Sequence, residues 1–373
     1  MIKIAHIADV HLRDRQYGYR SRGADFSTAL HNAVNKSIEN GASAIICAGD
    51  LFDASHPSSH VVAGELKFIH QHLLEQRIPM FVTSGNHDLS EVAWSCVYEG
   101  DPERGGICDI DWKEVTVGGV TIKGLPFMSP ENLRREIELM NRRNERYDVI
   151  VWHGEIAEFL GYPNPDAISM KDFTGGICKL VAMGDQHVHR YMSEEIDGHK
   201  VIVAYPGSTE MCSESEVAEK SLFMYTFDDN REIVDIETIP FETRPVQRFV
   251  IKTDLDLEDA VTKVIPGSLI FLKYNRHLSN VLPRLNAVLT PDNIVRPSLL
   301  PDDTERIDTS SVEMEHMITA GQYLMENFDK FIPEEEADDA IKTLCAAMLD
   351  STADHRYAID KFCSDQMEGK IIL

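Results

Sequence analysis

The chain predicts an α/β fold: a two-sheet β-sandwich flanked by helices, followed by a small α/β module and C-terminal helices. Three observations carry this prediction. Five short apolar runs, each the length of a buried strand, end in polar clusters; helical apolar stripes alternate with those runs through the first 240 residues; and an order of strand, helix, strand, helix, strand follows a proline-flanked boundary at 240–245.

Residues 4–8 form the first strand-like run, and the stripe of Phe26, Leu30, Ala33, Val34 and Ile38 predicts a helix over 26–39. Gly41 leads into a strand at 44–48. Residues 61–75 repeat the helical pattern with Val62, Leu66, Ile69, His70 and Leu73, and 78–83 read as the next strand. This βαβ rhythm favours a mainly parallel sheet covered by helices. Around Gly118-Gly119 the texture changes to a hairpin over 112–124. Runs at 149–152 and 180–183 are strands, and 200–204 with 221–227 are expected to close a second sheet. Beyond the boundary, 246–252, 255–264, 269–274, 280–289 and 293–297 give the small module. A polar linker at 301–311 then precedes helical segments at 312–330, 334–349 and 354–362. The expected division is therefore 1–240, 245–300, 301–311 and 312–373.

The 373-residue chain is long enough for more than one core. No run of about 18 apolar residues suggests a membrane span, and the N-terminus has no signal-peptide pattern. Seven cysteines without CxxC spacing fit a reduced, cytoplasmic protein, with Cys47 as a small core residue. The net charge of −26 argues against a surface that binds nucleic acid throughout. It leaves room for a nuclease, because divalent ions or a partner supply local positive charge. From Pro301 onward there are 18 acidic and 6 basic side chains, so the acidity is concentrated there.

The polar clusters are Asp9-Val10-His11, Gly49-Asp50, Gly85-Asn86-His87-Asp88, His153-Gly154-Glu155 and Gly184-Asp185-Gln186-His187-Val188-His189. They are expected to collect where successive strands of one sheet end, as a metal centre with more ligands than one ion needs. Asp9 and His11, two apart, can face one ion. Asp50 can bridge two ions, Asn86 offers a carbonyl oxygen, and His153, Asp185 and His187 complete a mixed N/O set. Such donors suit Mn²⁺, Fe²⁺ or Zn²⁺, with Mg²⁺ less favoured; the absence of thiolates argues against a soft-metal site. Two ions about 4 Å apart activate a water and neutralise phosphoryl charge. His87 is placed to contact the phosphate or protonate the leaving oxygen, and Asp88 is expected to orient a histidine from behind. Isolated histidines such as His31, His60, His72 and His277 carry no such pattern. A single Gly-Asp pair is an ordinary turn; five clusters in the same place after five strands are not.

With these motifs in hand, the sequence resembles the calcineurin-like metallophosphoesterases, whose pattern is D-x-H, GD, GNHD, H and GHxH. Within them it is similar to the SbcD-type DNA nucleases, through residues 6–12, 48–53, 84–88 and the Tyr205-Pro206-Gly207-Ser208 segment. The resemblance implies one ion held by Asp9, His11, Asp50 and His187, and another by Asp50, Asn86 and His153, with Asp185 where many members have His. His189 is the rival ligand if the strand end shifts. Asp53 stands where some members carry a catalytic His, which leaves the non-metal catalysis to His87. The resemblance further implies a Mn²⁺-dependent 3′–5′ exonuclease and endonuclease on double- and single-stranded DNA. It also implies a homodimer joined to an SbcC/Rad-type coiled-coil ATPase, with 245–300 as a capping domain. The stripe Met314, Met317, Ile318, Tyr323, Leu324 and Phe328 would grip that ATPase. Competing readings are a stand-alone phosphoesterase for small nucleotides or phosphoproteins, and a non-catalytic architectural subunit.

Overall fold

All five apolar runs are strands, and their near-continuous hydrophobicity reflects burial on both faces. In β2 (Ala44–Ala48), Ala44, Ile46 and Ala48 face the sandwich interior, while Ile45 and Cys47 face the helices. β1 (Ile2–Ile7), β2 and β3 (Pro79–Thr83) run parallel and adjacent, with β4 (Gly106–Asp109) beyond β3. The computed structural model describes residues 1–90, 99–161, 164, 167–278 and 280–300. The linker expected at 301–311 and the helices expected after it lie outside the described residues.

The second sheet is ordered β5 (Glu114–Val117), β6 (Val120–Gly124), β7 (Val149–His153), β8 (Leu180–Gly184), β10 (His199–Tyr205) and β9 (Arg190–Ile196). The β5–β6 turn is the expected Gly118-Gly119 pair, both at positive φ (56° and 91°), the geometry a two-residue hairpin requires. One expectation fails here. Residues 221–227, expected in the second sheet, belong to β11 (Lys220–Phe227), which pairs antiparallel with β1 in the first. β12 (Ile233–Phe241) then forms that sheet's edge. The interior between the sheets draws Ile4 and Phe223 from one and Val151 and Ala182 from the other.

Helix α1 (Arg20–Glu39) begins six residues before the apolar stripe does. Its first turn is held by tertiary contacts that periodicity cannot reveal. Arg22 is fully buried, donating to Gln16, Asp25 and the Met211 carbonyl. The segment expected as one helix at 61–75 opens with a π-helical stretch, Val61–Leu66, and continues as α2 (Lys67–Gln76). α3 (Pro130–Arg142), which the sequence reading passed over, starts with Ser129 accepting from the Asn132 amide and Pro130 in the first turn, and buries Leu133, Ile137 and Met140 against the second sheet.

Beyond residue 245 lie β13 (Val246–Ile251), α4 (Asp254–Lys263), β14 (Leu269–Tyr274), α5 (Val281–Asn286) and β15 (Ile294–Leu299), forming a parallel three-stranded sheet with β14 central. One face of it packs on α4 and α5; from the other, Leu269, Phe271 and Ile294 pack on Met211. Arg244 closes the contact by a bidentate pair with Asp25 of α1, at 2.5 and 2.8 Å, while its third nitrogen donates to the Asp292 carbonyl. Residues 1–300 thus form one compact unit.

Candidate metal centre

The clusters converge, though from two sheets rather than one. Asp9 and His11 follow β1, Asp50 follows β2, and Asn86 and His87 follow β3; His153 ends β7 of the other sheet, and Asp185 and His187 follow β8. The site therefore lies along the edge shared by the stacked sheets. Asp9, His11, Asp50 and Asp185 all adopt positive φ (52°, 50°, 49° and 98°), uncommon for residues with side chains and concentrated here where the chain turns its donors inward. The loops also approach too closely for side chains elsewhere. A β-carbon at Gly85 would overlap the Asp50 carboxylate, and one at Gly184 would overlap the Ala48 carbonyl.

Asp9 and Asp50 are buried, at 0% and 3% exposure. Asp50 Oδ2 lies 3.7 Å from His11 Nε2, 3.5 Å from His153 Nε2 and 4.0 Å from His87 Nε2. Its other oxygen accepts from the His87 amide at 2.9 Å. His153 Nε2 is also 3.0 Å from Asn86 Oδ1 and 3.7 Å from Asp185 Oδ1. On the opposite side, His11 Nε2 and His187 Nε2 stand 3.3 Å apart, and His187 Nε2 is 3.9 Å from Asp9. Asp50 is thus the carboxylate common to both sides.

The ring nitrogens facing away are anchored. His153 Nδ1 donates to the Ala48 carbonyl (2.9 Å), His187 Nδ1 to Glu216 (2.9 Å) and His87 Nδ1 to the Asp53 carbonyl (2.8 Å). Each assignment leaves Nε2 pointing into the centre, the arrangement typical of metal-binding histidines. Asp88 does not orient a histidine as expected. It accepts from the Leu51, Phe52 and Gly85 amides, tying the β2 and β3 loops together, and burial raises its carboxyl to about 6.

The electrostatics reflect carboxylates and imidazoles packed together under burial. Burial alone would suppress charge on His153, but the hydrogen bond to Asp50 and the Asp9 and Asp50 charges raise it to about 9. For His187 burial again opposes the charge, but Cys212, Glu216 and Asp9 carry it up to about 11. Burial, together with the neighbouring Asp9, Glu155 and Asp50, raises Asp185. The carboxylates thus draw protons onto the imidazoles, and two Nε2 atoms face each other at 3.3 Å. Divalent cations would answer both demands, and the donors fit them: His11, His187 and Cys212 form one group, and Asp9, Asp50 and His153 another. Such groups suit a two-ion centre.

Sequence reasoning missed two of these residues. Glu216 orients His187, and Cys212 brings a thiol beside His11 and His187. A thiol thus stands beside two of the expected nitrogen donors, where the sequence pattern offered only nitrogen and oxygen. Both residues lie in the loop after β10, well beyond its Tyr205 end, where no compact polar cluster marks them. Asp53 lies 3.6 Å from His11 Nδ1 and 2.5 Å from Arg13. His189 turns elsewhere: its nitrogens engage the Pro206 carbonyl, Ser221 and Thr238, and its ring stacks on Phe223 at 3.9 Å.

With the geometry established, comparison with known proteins gives the family. The description of the calcineurin-like phosphoesterases matches residues 2–189, a span containing all five clusters. The chain belongs to this family. As a calcineurin-like phosphoesterase it is also similar to proteins called DNA double-strand break repair protein Mre11. It is 24% identical over 357 residues to that of Methanosarcina mazei, covering 91% of this chain and 52% of the relative. Identity is 24% over 274 residues with that of Saccharolobus solfataricus, covering 70% of this chain and 69% of the relative. With that of Archaeoglobus fulgidus it is 28% over 228 residues, covering 56% and 50%. The chain spans about half the length of the Methanosarcina relatives it matches. No helix among the described residues is long and apolar enough to cross a membrane.

Proposed function

We propose that the chain is a metal-dependent DNA nuclease acting in double-strand break repair, as the names of its relatives suggest, through two divalent ions, with Mn²⁺ the best-suited metal. The observation that carries this reading is Asp50, a buried carboxylate flanked by one histidine pair and by a His153–Asn86–Asp185 group. Asp9, His11, Asp50 and His187 would hold one ion, and Asp50, Asn86, His153 and Asp185 the other. The ions would supply an activated water and neutralise phosphoryl charge.

The chain's own groups do the rest. His87 is anchored by its Nδ1–H on the Asp53 carbonyl and presents Nε2 on a side chain 42% exposed; as the imidazolium, having taken a second proton from solvent, it would donate from Nε2 to a phosphoryl oxygen or give that proton to the leaving oxygen. Asp88 holds the loop carrying His87 in register with Asp50. A 330 Å³ cleft lined by Phe127, Met128, Asn86 and Asp185 offers an apolar wall for a flanking nucleotide. Arg13, Arg15 and Arg20, with Asp14 and Glu65, line a 430 Å³ cavity, and Arg13 also pairs with Asp53, which neighbours His11. The arginines supply local positive charge for a DNA backbone in an acidic chain.

Residues 1–240 are assigned to the phosphoesterase and 245–300 to a capping domain. After a linker at 301–311, residues 312–373 would bind an SbcC/Rad-type ATPase in a complex built on a homodimer. The test is digestion of end-labelled double- and single-stranded DNA with Mn²⁺, Mg²⁺ or chelator, with and without that ATPase. Mn²⁺-dependent phosphodiester cleavage is expected. Hydrolysis of phosphate monoesters with no DNA cleavage would favour the small-substrate reading that the net charge of −26 suits. Full metal occupancy with neither activity would favour the architectural one.

A further inference from the structure

The loop after β10 brings sulfur to a centre otherwise made of nitrogen and oxygen. Cys212, His11 and His187 each offer a donor atom within 4.8 Å of the others. The thiol is held there by a scaffold that reaches deep into the protein. Gln16, itself buried, donates to the Cys212 carbonyl at 2.8 Å, and the Cys212 amide donates to Glu216 at 3.3 Å. Glu216 simultaneously receives the His187 Nδ1 proton and two donors from Lys220 and Ser208, both at 2.8 Å. One carboxylate therefore fixes both the imidazole and the backbone bearing the thiol. Cys212 is a free thiol that lies 3.7 Å from the Glu210 carbonyl and within hydrogen-bonding reach of the His187 ring.

We propose that Cys212 is a sulfur donor on the His11–His187 side of the metal centre, making that position select a thiophilic divalent cation such as Zn²⁺ over Mn²⁺. The inference rests on the metal-centre reading above. Cys212 would add a thiolate to the His11 and His187 imidazoles and the Asp9 and Asp50 carboxylates, shifting that position toward Zn²⁺ and Co²⁺, whereas the other position, with Asp50, Asn86, His153 and Asp185, keeps a harder set suited to Mn²⁺. Coordination would release the thiol proton to solvent, so the sulfur binds as a thiolate. The two positions of one centre then differ in metal preference.

The test uses Co²⁺ as a spectroscopic probe on the full chain. Wild type should develop visible ligand-field absorption together with a near-ultraviolet thiolate-to-cobalt band. Cys212→Ser should keep the visible absorption, lose the near-ultraviolet band, and lower the preference for Zn²⁺ over Mn²⁺ by about tenfold or more. Visible absorption without the near-ultraviolet band in wild type, or the same band in Cys212→Ser, overturns the role of Cys212 and leaves the metal centre standing. No cobalt absorption at all overturns both. A second measurement needs no variant: Zn²⁺ should protect the Cys212 peptide of wild type from iodoacetamide and Mn²⁺ should not. Equal alkylation with and without Zn²⁺ rejects the proposal.

Discussion

Asp9, His11, Asp50 and His153 form a buried floor to the centre, whereas Asn86, His87, Asp185 and His187 stand around it as a partly open rim. The floor comes from the ends of β1, β2 and β7, where strained backbone and close glycine contacts leave the donors little freedom. The rim rides on the β3 and β8 loops and is held by partners outside the centre: Asp53 for His87 and Glu216 for His187. The difference separates two jobs. Buried carboxylates without compensating charge are costly, so the floor decides whether cations are held. The rim decides what a phosphodiester meets.

The largest effect should come from the floor. Asp50→Asn removes the charge common to both sides and is expected to cut hydrolysis by roughly a thousandfold or more while lowering the Mn²⁺ stoichiometry seen by calorimetry. Retention of both ions would dissolve the distinction. At the rim, His87→Asn should reduce kcat by about 10²–10⁴-fold with the Mn²⁺ isotherm unchanged; a matching loss of metal would move His87 into the floor. Glu216→Gln loosens His187 without touching the floor, so metal affinity should fall by about 10–100-fold on one site alone. His189→Gln sharpens the contrast from outside. It should leave metal affinity intact and cost about 1–2 kcal/mol of stability in denaturant titration, through its lost stacking and hydrogen bonds. Loss of an ion in that variant would return His189 to the ligand set.

At neutral pH the smallest effect belongs to His6, which burial pushes down from 6.5 to about 3 and which hydrogen-bonds Tyr225 inside the sandwich. Its folded state resists the proton that the unfolded chain accepts, so its stabilisation is whole above pH 6.5 and is lost as pH falls toward 3. His6→Gln should cost about 1 kcal/mol at neutral pH through the lost buried hydrogen bond and flatten the decline of the thermal midpoint on acidification. An unchanged acid limb would show that other groups govern it.

The strands were legible because both faces of a stacked sheet are buried, which makes runs such as 44–48 uniformly apolar. Most of the centre was legible for the same reason, since a polar cluster after such a run stands out. Sheet membership was not. Residues 221–227 look alike whether they pair with β10 or β1, and only the returning chain decides. The start of α1 was hidden because Arg22, a surface residue by composition, is buried by Gln16 and by the Met211 carbonyl far along the chain. Cys212 and Glu216 escaped because their loop presents a sparse polar pattern after Gly207 rather than a compact cluster. Their role arises from contacts with His187 across an intervening pair of strands, β9 and β10, which a local pattern does not reveal.

The Arg244–Asp25 pair has a practical consequence for how this protein can be cut. The chain offers a tempting boundary near Pro240–Pro245, but contacts cross it, and residues 1–300 cluster as one unit. Ending an expression fragment there would strip Asp25 of its bidentate partner and uncover Met211, whose neighbours Glu210 and Cys212 belong to the loop that carries Glu216. A fragment of residues 1–240 would keep every strand-end donor and still be expected to yield a slack His187. Residues 1–300 are the smaller piece worth purifying.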